Sequence, residues 1–238
     1  DAETIGRSLS LIEEQFGRSY LLFQKHTTAA MPTLITYDTQ KLQITFQLYQ
    51  TNQNFNGDLV LDRQTVRTTT LLEGRGITKE DIDSEKSVIV IDNITNQLLY
   101  QGKGVGQTMH IPILQSVQQS DGTWMMQTVG YDSLEIIGVY ENSDADYAAL
   151  YSAVADSSES NYGSYQSVCY IPTSCSLSEE PTTEADMVYL QTEMTDAAYS
   201  IIRQSCADDY SNYESYTYAS LAADLQNEML VFKRVLNA

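Results

Sequence analysis

Positive charge is scarce in this chain: 13 Lys and Arg stand against 32 Asp and Glu over 238 residues, a formal net charge of −19. Nucleic-acid phosphates need a basic footprint, so the balance excludes nucleic acid as a partner. It also repels an anionic leaflet surface. Long apolar runs are missing as well. The best is Val88-Ile89-Val90-Ile91, far short of the roughly 18 residues of a membrane-spanning helix. No charged start followed by an apolar stretch marks a signal peptide, and the chain begins abruptly at Asp1. It reads as a soluble piece cut from a longer protein, or as a mature secreted chain. Cysteine amounts to three residues, Cys169, Cys175 and Cys206, and an odd count is no disulfide framework. Cys169 and Cys175 flank a short loop, which leaves a bridge between them open in an oxidising compartment. With only His26 and His110 to add, no zinc set is formed, and neither a metal nor a cofactor is expected.

What is present is enough to fold. Hydrophobic residues make up 42% of the chain and aromatics 10%, with only four prolines, a composition that buries a core. Charge is unevenly placed: between Lys103 and Arg203 there is no Lys or Arg, while 14 acidic residues fall there. Such a field keeps a surface soluble and draws cations toward it. Eleven of the 17 tyrosines follow residue 146, so the last third presents a different surface.

Periodicity assigns the elements. Ile5, Leu9, Ile12 and Phe16 lie at helical spacing before Gly17, and Ser19 to Gln24 reads as a strand. Residues 41–49 alternate, with Leu42, Ile44, Phe46 and Leu48 on one face, as a half-buried strand does. Asn56-Gly57 predicts a turn before Leu59-Val60-Leu61. Thr78 and Asp81 form a capping box for one helical turn. Ser87 to Ile91 is a buried strand, and Asp92 caps a helix closed by Gly102. Met109 to Leu114 is a strand whose Pro112 favours a sheet edge. Residues 115–123 read as a polar loop, followed by separate strands at Trp124–Val129 and Leu134–Tyr140. A short helix through Tyr147, Leu150, Tyr151 and Val154 leads into a loop, then strands at Val168–Pro172 and Met187–Gln191. A helix at Asp196–Ala207, a strand at Tyr213–Tyr218 and a final helix at Ser220–Val235 complete the reading.

The motifs that would carry chemistry are weak. Gly102-Lys-Gly-Val-Gly106 has the spacing of a dinucleotide loop, but a helix precedes it and a strand follows, the reverse of the order phosphate binding needs. No Gly-x-Ser-x-Gly elbow supports a triad. Asp144-Ala-Asp146 and Asp208-Asp209 lack the spaced ligands of a calcium loop. Asn93-Ile-Thr95 fits a glycosylation triplet. Trp124 with Met125 and Met126 reads by default as strand core, with a sticky apolar site as the other reading.

Five blocks in order carry a resemblance. They are Gly74-Arg-Gly-Ile-Thr-Lys-Glu-Asp-Ile82, Ser87-Val-Ile-Val-Ile-Asp92, Thr95-Asn-Gln-Leu-Leu-Tyr100, Gly104-Val-Gly-Gln-Thr-Met-His-Ile111 and Leu134-Glu-Ile-Ile-Gly-Val-Tyr140. This pattern resembles the extracytoplasmic core domain of MacB-type ABC transporter permeases, with Gly104 standing where the family has proline. The resemblance implies a two-lobed α+β domain. Residues 1–36 and 150–238 would form a membrane-proximal, porter-like lobe with stalk helices, and 37–149 an inserted small outer α/β lobe. It further implies a non-catalytic role coupling ATP-driven motion to export or release, on the outer side, of a substrate such as a peptide, a drug or a lipid-linked molecule. The partners implied are a separate ABC ATPase subunit and a second permease, identical or paired. No Walker motif occurs in the chain, so any ATPase lies elsewhere. The basic-free stretch suggests a cationic peptide or drug as cargo. A secreted binding or adhesion module without membrane helices is the rival reading.

Overall fold

A computed structural model describes residues 20–26, 33–37, 39–51, 59–62, 65–120, 122–157, 162–177 and 187–190. The chain divides into two units, Asp1–Tyr20 with Leu190–Ala238, and Leu21–Tyr189. The helices expected at 3–16, 196–207 and 220–235, the strand at 213–218 and the turn at Asn56-Gly57 lie outside the described residues.

The described part is α+β, built on a nine-stranded mixed sheet. Its strands are β1 (Tyr20–His26), β2 (Thr33–Tyr37), β3 (Gln40–Thr51), β6 (Leu71–Gly74), β7 (Val88–Asp92), β8 (Thr108–Gln118), β9 (Trp124–Tyr140), β10 (Gly163–Pro172) and β11 (Met187–Leu190). Between β3 and β6, strands β4 (Leu59–Asp62) and β5 (Thr65–Thr68) pair as a separate hairpin. The main order is β11-β1-β3-β10-β7-β9-β6, with β2 on β3 and β8 on β9. Three helices connect the strands: α1 (Lys79–Asp83), α2 (Asn93–Tyr100) and α3 (Asp144–Ala155).

Burial explains why β7 reads as an unbroken apolar run: all five of its residues are buried, because both faces of the sheet are covered. On one face Leu42, Ile44, Leu48, Ile89, Ile91, Ile136 and Ile171 form the main core, against Ile94 of α2 and Leu150 and Ala153 of α3. On the other, Ile77, Val88, Val90, Ile137, Tyr140 and Tyr170 form a second, smaller core. A register shift opposite Ile89/Val90 puts Ile136 and Val139 of β9 on the first face and Ile137 and Tyr140 on the second. Each large apolar side chain so enclosed contributes about 1.5–3 kcal/mol.

Several expectations need correction. The alternation in β3 holds for Leu42, Ile44, Phe46 and Leu48, but Gln47, Gln50 and Thr51 are buried too. The strand is therefore covered on both faces at its end, where β10 runs parallel to it. Residues 115–123 are not all loop: β8 runs on to Gln118, and β9 is one strand of 17 residues instead of two. Ser116 and Gln118 sit in a two-stranded ribbon whose ladder pairs the backbone while their side chains are exposed. Helix α2 turns left-handed first at Gln101 (φ 53°), before Gly102 (φ 75°). Strand β10 begins at Gly163, five residues before the apolar run. Strand β1 runs on to His26, two residues past the strand read at Ser19–Gln24.

Two glycines set close approaches. A Cβ at Gly163 would lie 1.6 Å from the carbonyl oxygen of Ala153, so α3 rests its backbone directly on the start of β10. A Cβ at Gly138 would lie 2.2 Å from the carbonyl oxygen of Arg75, where β6 closes on β9.

Candidate functional site

Two groups of polar side chains and one exposed ribbon stand out. The first group surrounds Asp92, the last residue of β7 and the N-cap of α2, with 1% of its surface exposed. The Thr95 backbone N–H donates to Asp92 Oδ1 at 2.9 Å, the usual capping bond. Thr95 Oγ1 lies 2.8 Å from Asp92 Oδ2 and 2.7 Å from Ser167 Oγ, and Ser167 Oγ also bonds to Oδ2. Tyr165 donates from its hydroxyl to Oδ1 at 3.3 Å. Asn142 extends the network: its Nδ2 donates to the Tyr165 hydroxyl at 3.2 Å, and its Oδ1 accepts from the Ile94 N–H at 2.8 Å. Cys169 Sγ sits 3.4 Å from Ser167 Oγ. Loss of water is the largest influence on Asp92 and raises its pKa, with the bonds from Ser167 and Thr95 offsetting part of the rise. Burial likewise pushes the Tyr165 hydroxyl and the Cys169 thiol upward.

The second group has the opposite balance. Asp81, third residue of the capping box that starts α1, has no exposed side-chain surface. Arg75 grips it with two bonds, Nη1 to Oδ2 at 2.5 Å and Nη2 to Oδ1 at 3.0 Å. Thr78 donates to Oδ2 from both N–H (2.9 Å) and hydroxyl (2.7 Å), and Lys86 Nζ stands 3.3 Å from Oδ1. Burial alone would raise the Asp81 pKa. The Arg75 guanidinium, then Thr78 and Lys86, outweigh it and hold the carboxyl well below the usual range. The group fastens α1 to the end of β6, since the Arg75 N–H also bonds the Ile137 carbonyl of β9 at 2.8 Å.

The third feature is the far half of the β8–β9 hairpin. Strand β7 pairs with β9 only over Glu135–Tyr140, whereas β8 stays paired out to Trp124. The ribbon carries Trp124 (66% exposed), Met125 (56%), Val129 (53%) and Tyr131 (62%) in contact with solvent. The default reading of Trp124 and Met125 as strand core is thus overturned, because the ribbon outruns the strand that would cover it. Beside Tyr131, His110 makes an edge contact with its ring and places Nδ1 3.0 Å from Ser133 Oγ.

The remaining sequence candidates are placed as follows. Cys169 and Cys175 are both buried free thiols, the first on β10 and the second in the turn after it; burial pushes the Cys175 thiol up to about 11. Asp146 serves as the third residue of the α3 capping box with Ser143, and Thr95 of the Asn-Ile-Thr triplet is buried in the Asp92 network. The glycine loop 102–106 is a turn between α2 and β8; the Gly104 N–H donates to Asn96 Oδ1 at 2.9 Å. Among the described residues no group of His, Cys, Asp and Glu could hold a metal ion, and no helix is long and apolar enough to cross a membrane. Sequence reasoning found Asp92 and Asp81 as caps and missed their partners. Arg75 is six residues from Asp81, while Ser167 is 75 residues from Asp92, too far for any spacing rule.

A family model for the MacB-like periplasmic core domain matches residues 8–203, most of the chain. The chain belongs to this family. It is a MacB-like extracytoplasmic domain of an ABC transporter, a non-catalytic component on the outer side of the membrane. Two solved structures are similar to it. The periplasmic region of MacB from Actinobacillus actinomycetemcomitans is 13% identical, with a TM-score of 0.47 over 85% of this chain and 72% of that one. The extracellular domain of the noncanonic ABC-type transporter YknZ from Gram-positive bacteria is 14% identical, with a TM-score of 0.42 over 87% and 84%. No curated protein matches the chain.

Proposed function

We propose that this MacB-like domain relays ATP-driven motion from a cytoplasmic ATPase subunit to the outer face of the membrane, where a substrate is exported or released. Family membership over residues 8–203 carries the reading. In this reading the terminal segments continue into the membrane-proximal lobe, and the domain works in a pair of permeases. Its contribution is mechanical, a stiff sheet moved as a body, with no bond made or broken within it.

The test uses the full transporter with its ATPase, reconstituted in liposomes and spin-labelled at the exposed Gln127 in each permease copy. Distances that shift between the nucleotide-free and ATP-bound states are expected. Distances unchanged through the cycle, while transport continues, would overturn the relay.

The cargo proposal is a cationic peptide or drug, supported by the absence of Lys and Arg between Lys103 and Arg203 and by the exposed Trp124 and Tyr131 rings. Aromatic faces attract cations at short range and the acidic field does so at long range. Binding should weaken as salt is raised; binding indifferent to salt would exclude the electrostatic form.

A further inference from the structure

The Asp92 network has a property that capping alone does not require. A carboxylate capping an exposed helix is solvated, but Asp92 is enclosed, and among the described residues its hydrogen-bond partners are Thr95, Ser167 and Tyr165, none of them a cation. Among the described residues, the titratable groups that act on it are acids. Tyr165 and Cys169 face it from β10, Tyr140 acts on it from β9, and Asp146 of α3 reaches it through Asn142 and Tyr165. From α2 only Thr95 approaches, with a hydroxyl and an amide. An ionised Asp92 would be a buried charge compensated by dipoles alone, and such a charge is costly.

The neutral acid fits the same geometry. Ser167 Oγ and Thr95 Oγ1 are rotors beside Oδ2, each able to accept a hydrogen bond from its O–H. Ser167 can then pass its own hydrogen toward Cys169 Sγ, 3.4 Å away. Thr95 N–H and the Tyr165 hydroxyl go on donating to Oδ1. Every member keeps a partner when the proton is present.

We propose that Asp92 is a proton-operated latch: its neutral carboxyl holds α2 to β10 and, through Asn142, to the start of α3, and ionisation loosens that face of the sheet as the outer medium becomes alkaline. An acid that holds its proton more tightly folded than unfolded contributes most below its unfolded pKa, near 4. Stability then declines as pH rises from there to the folded value, and levels off above it.

The experiment compares urea unfolding of the full chain with that of Asp92→Asn, which keeps the shape and cannot ionise, between about pH 4 and pH 9. The wild-type midpoint should fall steadily behind that of the variant as pH rises. Parallel curves, or a wild type that gains on the variant with pH, would overturn the latch. Should Asp92→Asn fail to fold, the carbon-13 shift of the Asp92 carboxyl in the wild type decides. A titration midpoint clearly above the usual value near 4 sustains the proposal, and one at or below it sinks it.

Discussion

The two halves of β9 are one strand with two fates. Over Glu135–Tyr140 it pairs with β7, and β6 flanks Gly138–Tyr140 on the other edge; Leu134, Ile136, Ile137, Val139 and Tyr140 are all buried. From Trp124 to Ser133 it has β8 alone along its length among the described strands, and its largest side chains meet water. Hydrophobicity alone does not decide the fate of each residue, since Trp124 and Met125 are apolar and yet stand in solvent. What differs is the number of neighbouring layers, a property of topology. The inner half is framework and the outer half is free to serve a surface role.

That contrast breaks or sharpens most plainly at Ile136, which is fully buried. Ile136→Ala should cost about 2–5 kcal/mol, through lost burial and the cavity left behind. Urea unfolding measures it, and a cost below about 1 kcal/mol would mean the inner half is not framework. Next is Gly138→Ala, whose added carbon would press on the Arg75 carbonyl oxygen. Parting β6 from β9 should cost about 1–3 kcal/mol, visible as a lowered unfolding midpoint. Asp81→Asn follows, at roughly 1–3 kcal/mol, since Arg75 then grips a neutral amide at the point that ties α1 to the inner half. Because the folded pKa of Asp81 lies below the unfolded one, the wild-type advantage is present above about pH 4 and fades as the solution is acidified through the lower folded value. A difference that did not fade in acid would show that packing, and not charge, is at stake. The smallest effect belongs to the outer half: Trp124→Ser with Met125→Ser should shift stability by no more than about 0.5 kcal/mol per site. A larger loss would show the ribbon to be packed against something.

How much of this was legible follows from the range of each signal. The capping boxes at Thr78–Asp81, the cap at Asp92 and the runs in β3 and β7 depend on residues within a few positions of each other, and local sequence carries them. The burial of Gln47 and Gln50, the exposure of Trp124 and the meeting of Asp92 with Ser167 depend on which strand lies beside which. A polar residue such as Gln50 looks like a solvent face until its Nε2 is seen to donate to the Cys175 carbonyl at 3.2 Å, 125 residues on. Family resemblance supplied the fold class where periodicity could not, because the order of the five blocks encodes the topology that single segments lack.

The parallel ladder of β3 with β10 also has a meaning in time. Leu42 pairs with Gly163 and Thr51 with Pro172, so the segments it joins are made more than a hundred residues apart. The β8–β9 hairpin closes over a short turn, an event of microseconds, whereas a sheet knitted across so long a loop forms slowly. Until β10 is synthesised and docks, β3 waits with Leu42, Ile44 and Leu48 uncovered on one edge. The ladder at the middle of the finished sheet is thus assembled late, before β11 adds to the β1 edge, and that interval is when the emerging chain is most open to mispairing and proteolysis.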